Sequence, residues 1–150
     1  PDRLKISKSL RKVLASGQFT FTENQCFRRV MENCRDMQRP GQDGTWISDE
    51  LIDSFMMLHQ NGVASSFEAW QNGELVGGFY GVDIGNVFCG ESMFAKVSNA
   101  SKAVFLNFVL ENRARYELID CQVHSEHLQS LGAEMISLAD YLDILKKRPL

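Results

Sequence analysis

Between Ala64 and Ala95 three runs with strand character, SSFEAWQ, ELVGGFYGV and VFCGESMF, are separated by two compact turn signals. Asn72-Gly73 is the pair a two-residue hairpin turn favours, because both positions must take positive φ. Asp83-Ile84-Gly85-Asn86 closes the second connection. Strands joined by turns this short lie antiparallel as neighbours, so a three-stranded meander is set before any other element is placed. Helical spacing follows it and precedes it, which makes the chain α+β, with a mixed, mainly antiparallel sheet flanked by helices.

The rest of the chain is read around that meander. Residues 1–12, with Leu4, Ile6 and Leu10 among basic and small residues, read as a strand or a frayed arm. Phe19 and Phe21 alternate with Thr20 and Thr22 as in a short strand, and Thr22 is a plausible N-cap for a helix carrying Cys26, Phe27, Val30, Met31 and Cys34. That helix stops before Pro40-Gly41. Ser48 caps a second helix, with Asp49 and Glu50 in its first turn, a stripe of Leu51, Ile52, Phe55, Leu58 and His59, and Asn61-Gly62 at its end. Beyond the meander, Ser98 or Asn99 caps a helix that buries Val104, Phe105, Phe108 and Val109. A strand over LIDCQV, a short helix at His127–Leu131, a strand through Met135–Ser137 and a last helix over Ala139–Lys147 complete the reading.

A chain of 150 residues, 44% hydrophobic and 23% charged, fits one globular domain, expected over 1–150. No apolar run approaches the ~20 residues of a membrane helix, and no signal-peptide pattern opens the chain. The four cysteines form no CxxC pair and suit free thiols in a reducing cytoplasm. His59, His124 and His127 lack metal-ligand spacing and read as structural histidines. A cytoplasmic monomer with no membrane partner, no metal and no cofactor is therefore expected.

Charge is segregated. Residues 1–39 hold nine Lys or Arg against four acids, whereas from Pro40 to Ala95 eight acids stand without a single Lys or Arg. Within the first twelve residues Arg3, Lys5, Lys8, Arg11 and Lys12 face Asp2 alone, the kind of cluster a phosphate backbone uses. Arg28, Arg29, Arg35 and Arg39 are the alternative basic surface. Solvated helix and loop charge explains both equally well from composition.

LIDCQV places a carboxylate and an amide inside an apolar run. Strand alternation would put Asp120, Gln122 and His124 on one face and Ile119, Cys121 and Val123 on the core face. A buried carboxylate must be paired or hydrogen-bonded, so Asp120 either anchors nearby backbone or does chemistry. The four glycines of the meander, Gly77, Gly78, Gly81 and Gly90, exceed what packing strands need and point to close approach by a ligand or another backbone along them.

The runs GTWI (Gly44–Ile47), ELVGGFYGV, FCGESMF, NASK (Asn99–Lys102), LIDCQV and HLQSLGAE (His127–Glu134) resemble, in order and spacing, those of the leucyl/phenylalanyl-tRNA–protein transferases. The resemblance implies a fold similar to the GCN5-related acetyltransferases. It also implies transfer of Leu or Phe from aminoacyl-tRNA to proteins with N-terminal Arg or Lys, marking them for degradation. The family's functional groups fall on Glu91, Asp120 and Gln122. Its pocket for the aminoacyl side chain and terminal adenosine falls on Trp46, Phe79, Phe88, Phe105, Phe108 and Ile119. The family's small N-terminal domain is expected to be absent. Ser65 stands where a His is usual, Phe55 where a Tyr is usual, and ENRARYE lacks the usual paired glycines.

Chemistry on these residues agrees with that implication. An aminoacyl ester is already activated and an α-amino group with a pKa near ~7.7 is substantially neutral, so holding amine and ester together is the main task. Two other readings stay open: a non-catalytic module that grips aminoacyl ends or peptide N-termini, and a CoA-dependent N-acyltransferase of the same fold. FAKVSNASK, before the Asn99 helix, lacks the glycines of a pyrophosphate loop and speaks against CoA. Glu91 has the further alternative of a structural pair with Lys102.

Overall fold

The computed structural model describes residues 1–37 and 45–147, the His127 side chain excepted. Arg39, the Pro40-Gly41 stop and Gly44 therefore lie outside the described residues. The elements are α1 (Lys8–Ala15), β1 (Thr20–Glu23), α2 (Phe27–Asp36), α3 (Asp49–Gln60), β2 (Ala64–Gln71), β3 (Glu74–Ile84), β4 (Val87–Ala95), α4 (Ala100–Asn112), β5 (Leu118–Asp120), α5 (Glu126–Ser130) and α6 (Leu138–Lys146).

One five-stranded sheet runs in the order β1-β2-β3-β4-β5. Its first four strands are antiparallel and β5 joins β4 in parallel, as the α4 crossover requires. The expected mixed sheet is thus present, and the meander turns fall where the sequence puts them, with Asn72 and Gly73 both at positive φ.

Two cores cover the two faces. On one, α4 packs Val104, Phe105, Leu106, Phe108 and Val109 against Phe67, Ala69, Phe79 and Phe88. On the other, α2 and α3 bring Phe27, Val30, Met31, Cys34 and Ile52 onto Ala64, Leu75, Tyr80 and Phe94. α4 is buried nearly all round, which is why its sequence is apolar on every side rather than striped.

The meander glycines serve this packing. A Cβ at Gly77 would meet Ala100 Cβ at 2.7 Å, and one at Gly78 the Phe67 carbonyl oxygen at 2.8 Å, while Gly81 is closed by the Phe88 ring and the Cys89 carbonyl. Of the two expected possibilities, the close approach is by the protein's own α4, neighbouring strand backbone and aromatic rings. Only Gly90 has room, its virtual Cβ lying 3.6 Å from the nearest atom, Asp120 O.

Four local expectations are corrected. Lys8–Ala15 is helical, because the Ser7 hydroxyl accepts from Leu10 N–H and Leu10, Val13 and Leu14 turn onto the cores. Cys26 precedes α2, and Thr22 instead lies in β1. The LIDCQV strand ends at Asp120, leaving Val123 71% exposed. Met135–Ser137 forms no strand, and Met135 is 79% exposed.

Thr22 helps to bury an acid. Glu68 of β2 is fully buried and accepts hydrogen bonds from the Thr22 and Ser66 hydroxyls, both at 2.6 Å, and from Cys26 N–H at 3.5 Å. Trp70 Nε1 donates to the same Thr22 oxygen at 2.7 Å. His59 is structural as well, stacked on Phe27 with ring centroids 4.3 Å apart and bonded through Nδ1 to Ala64 O.

Candidate functional site

β5 pairs only with Val87–Cys89 of a strand that continues to Ala95. It stops because Gln122 takes φ +61 and carries the chain out of the sheet. The Gln122 side chain then replaces the missing ladder partner: its Nε2 donates to Gly90 O at 3.0 Å and to Glu91 Oε1 at 3.0 Å. Glu91 is available because it is an extra residue. Gly90 and Ser92 stand opposite Gly81 and Tyr80, so Glu91 has no partner on β3 and forms a β-bulge, a device that re-aims a side chain. Gln122 N–H donates to Asp120 Oδ1 at 2.7 Å and completes the chain Glu91–Gln122–Asp120.

These three residues therefore converge, though not by strand alternation. His124 does not share a strand face with them; it is exposed on the wall of the adjacent cavity.

The hydrogen-bond inventory decides what the cluster can recognise. Both Gln122 amide hydrogens are committed, which leaves its Oε1, an acceptor, as the open group. Asp120 and Glu91 are acceptors when ionised. Burial pushes the Glu91 carboxyl up, the Gln122 bond pulls it back, and the Asp120 charge raises it again. Such an arrangement suits an incoming N–H donor, above all an amine or ammonium. The cysteines beside it are poor nucleophiles: burial and the nearby Asp120 charge push the Cys121 thiol up to about 11, and burial also raises Cys89.

A cavity of about 440 Å³ opens beside the cluster, within the usual size range for small-ligand sites. Asp120 and Gln122 lie on its wall with Ile119, Phe105, Val109, Leu128, Leu131 and Ile136. Residues 1–4 form another part of the wall, held by the Lys5 N–H bond to Leu131 O at 2.8 Å and by the Arg3–Glu134 ion pair. Gly132, at φ +101, is needed there because a Cβ would collide with the Arg3 carbonyl.

The aromatic residues expected to line a pocket separate into two groups. Phe105 and Ile119 reach the cavity wall. Phe79, Phe88 and Phe108 do not; they are 2%, 0% and 1% exposed and pack edge-on or tilted against one another between α4 and the sheet, with Phe79 stacked on Phe67. Trp46 is 54% exposed and lies outside the cavity wall. Lys5, Lys8, Arg11 and Lys12 are exposed, and Arg3 is exposed but engaged by Glu134. The alternative basic group is locally committed: Arg28 pairs with Asp53, Arg35 with Asp36 and Asp49, and Arg29 sits over the Trp70 ring.

Sequence reasoning missed Tyr141, which lies on the cavity wall with its hydroxyl 4.0 Å from Cys89 Sγ. No motif surrounds it; it is one residue of an ordinary amphipathic helix. It missed the bulge too, although a signal existed. Phe88 and Met93 face the same core five residues apart, an odd spacing that a regular strand forbids. Among the described residues no group of three potential ligands could hold a metal ion, and no helix is long and apolar enough to cross a membrane.

A family described as leucyl/phenylalanyl-tRNA protein transferase matches residues 1–146. Proteins named leucyl/phenylalanyl-tRNA–protein transferase from Flavobacterium johnsoniae and Flavobacterium psychrophilum are 50% and 49% identical to this chain, over 98% and 97% of it and 70% of each relative. Among solved structures, the ribosomal-protein-alanine N-acetyltransferase of Brucella melitensis biovar Abortus 2308 aligns with a TM-score of 0.54 at 13% identity, over 79% of this chain and 93% of that one. An aminoglycoside N-acetyltransferase in complex with CoA aligns at 0.56 and 14%, over 79% and 90%. These likenesses show the acetyltransferase fold that the motifs implied.

Proposed function

Since the chain belongs to the leucyl/phenylalanyl-tRNA–protein transferase family, a family of aminoacyltransferases, we propose that it moves Leu or Phe from aminoacyl-tRNA onto the α-amino group of proteins beginning with Arg or Lys. The observation that carries this reading is the chemistry of the Glu91–Gln122–Asp120 chain, which presents acceptors only and opens onto a cavity with an apolar wall. Asp120 and Gln122 Oε1 accept hydrogen bonds from the acceptor amine and orient its lone pair at the ester carbonyl, and Glu91 fixes Gln122 while adding negative charge; as the C–N bond forms and the ester C–O bond breaks, the amine's proton passes to the departing ribose oxygen. The ester needs no further activation, so the gain comes from holding the two reactants in contact.

Phe105 and Ile119 supply the apolar surface for the Leu or Phe side chain, and a polar side chain there would lose its hydrogen bonds to water without replacement. Lys5, Lys8, Arg11 and Lys12 supply exposed positive charge for the tRNA backbone. The acidic stretch from Asp43 to Glu91 favours a cationic N-terminal residue on the acceptor.

The test is transfer of labelled Phe from Phe-tRNA to a peptide starting with Arg, with acetyl-CoA as the competing donor. The wild type should use the tRNA donor, and Asp120→Asn should lose roughly 100-fold or more in turnover at an unchanged melting temperature. Turnover untouched by Asp120→Asn would remove Asp120 from the mechanism, and acylation by acetyl-CoA in place of Phe transfer would replace the reading.

A further inference from the structure

A second cavity, of about 370 Å³, adjoins the first: Asp2 and Glu117 belong to the walls of both. Asn86, Arg113, Arg115 and Lys147 supply the rest of its polar wall. Two of these cations come from ENRARYE, the run that departs from the family's usual paired glycines, and the chemistry at Asp120 makes no use of them.

Asn86 sets what an occupant has to donate. It is 5% exposed, and its Nδ2 is committed to Ile144 O at 2.8 Å and to Glu117 Oε2 at 3.4 Å. Its Oδ1 is buried too and has no hydrogen-bond partner among the described residues. A buried acceptor left empty is destabilising, and a donor entering this cavity would fill it.

The cations set what the occupant has to accept. Arg113, exposed at the end of α4, has no ion pair among the described residues. Arg115 is paired with Asp83 and Lys147 with Glu117, but both cations are more than half exposed, so these pairs are weak and leave spare N–H donors. A phosphate suits them, yet it brings no donor for Asn86. A ribonucleotide unit brings both, through its 2′-hydroxyl and its phosphate. Asp2, exposed where the two cavities meet, repels phosphate and accepts from hydroxyls, which favours the phosphate on the arginine side.

We propose that the second cavity holds the penultimate nucleotide of the tRNA 3′ end, its 2′-hydroxyl on Asn86 Oδ1 and its phosphate on Arg113, with Arg115 and Lys147 in support. The inference rests on the proposed use of aminoacyl-tRNA, which puts the terminal adenosine in the first cavity; the adjoining polar cavity then takes the next unit of the strand.

Binding is measured without transfer, on Phe joined by an amide to a CCA trinucleotide and on Phe joined in the same way to adenosine alone. The wild type should bind the trinucleotide more tightly. Arg113→Gln should weaken that binding roughly ten-fold and lower the log–log salt slope by about 0.7, the share of one single-strand phosphate contact, while Arg113→Lys keeps most of the slope. Neither substitution should change affinity for the adenosine form. Asn86 also ties α6 to the sheet, so its contact is tested from the ligand side: a 2′-deoxy penultimate nucleotide should bind roughly three- to ten-fold more weakly. Equal affinity for the two probes, an unchanged salt slope in Arg113→Gln, or indifference to the missing hydroxyl overturns the proposal. A wild type that passes these binding tests but transfers nothing removes the proposed function and leaves the subsite; one that transfers Phe but fails them does the reverse.

Discussion

The molecule contains two carboxylate clusters built from similar parts, and they differ in what they leave open. Glu68 sits under α2, fully buried, with the hydroxyls of Thr22 and Ser66 and the N–H of Cys26 spent on it. Glu91 and Asp120 sit where β4 and β5 part, partly exposed, with acceptor capacity that the protein does not use up. The sealed cluster satisfies itself and ties β1, β2 and the start of α2 together. Burial of an acid thus marks a structural debt settled locally, whereas unused acceptors beside a cavity mark a site that awaits a donor.

The aromatic rings sharpen that contrast and give the largest expected effect. Phe88 is wholly buried among Phe67, Phe79, Phe108 and Tyr116, so Phe88→Ala should destabilise the fold by about 3–5 kcal/mol. Affinity for an aminoacyl adenosine, measured on the folded fraction, should stay as it was. Next comes Glu68→Ala. It leaves the buried Ser66 and half-buried Thr22 hydroxyls without their acceptor and should cost roughly 2–4 kcal/mol, seen as a melting point lower by about 5–15 °C with normal turnover per folded molecule. A Glu68→Ala protein that melts normally but no longer transfers would erase the distinction between the two clusters.

Phe105→Ala probes the open side. Its ring borders the cavity, and its loss should weaken binding of a Phe-bearing adenosine by roughly 1–3 kcal/mol, with equal affinities for Phe- and Asp-bearing analogues as the contrary result.

The smallest effect is one of sign. Burial raises the Glu91 carboxyl, so the folded state holds that proton more tightly than the unfolded chain does. Its charge therefore lowers stability above the ordinary carboxylate range, and this penalty disappears as pH falls through that range. Glu91→Gln should accordingly melt slightly higher than wild type at pH 7, converge with it in acid, and transfer more slowly at both. A lower melting point at pH 7 would mean that Glu91 is structural.

Much of this architecture was legible from local rules. The Asn72-Gly73 turn, the Ser48 cap of α3 and the apolar α4 each follow from short-range chemistry, and each appears in place. The site was legible as residue types, since a carboxylate and an amide in an apolar run had to be satisfied or used. Its geometry was not. Gln122 reaches Glu91 because of a single positive φ, and that depends on what β4 offers across the gap rather than on neighbours in sequence. Phe79, Phe88 and Phe108 show the same limit. An aromatic that lines a pocket and one that fills a core follow the same pattern until α4 is docked. The glycines announced close approach without saying by what: of a ligand and another backbone, it is α4 at Gly77 and strand backbone at Gly78 and Gly81 that come near.

The bulge in β4 bears on how such a site can be gained or lost. With Glu91 unpaired, Gly90 and Ser92 already face adjacent residues of β3, so a deletion of that one codon would let the ladder close without shifting Met93 or Phe94 to the wrong core. To the sheet, the acid is a removable stitch. A shortened strand would leave both cores intact with no acid to hold Gln122, and re-insertion of a single residue would restore the carboxylate without repacking either core.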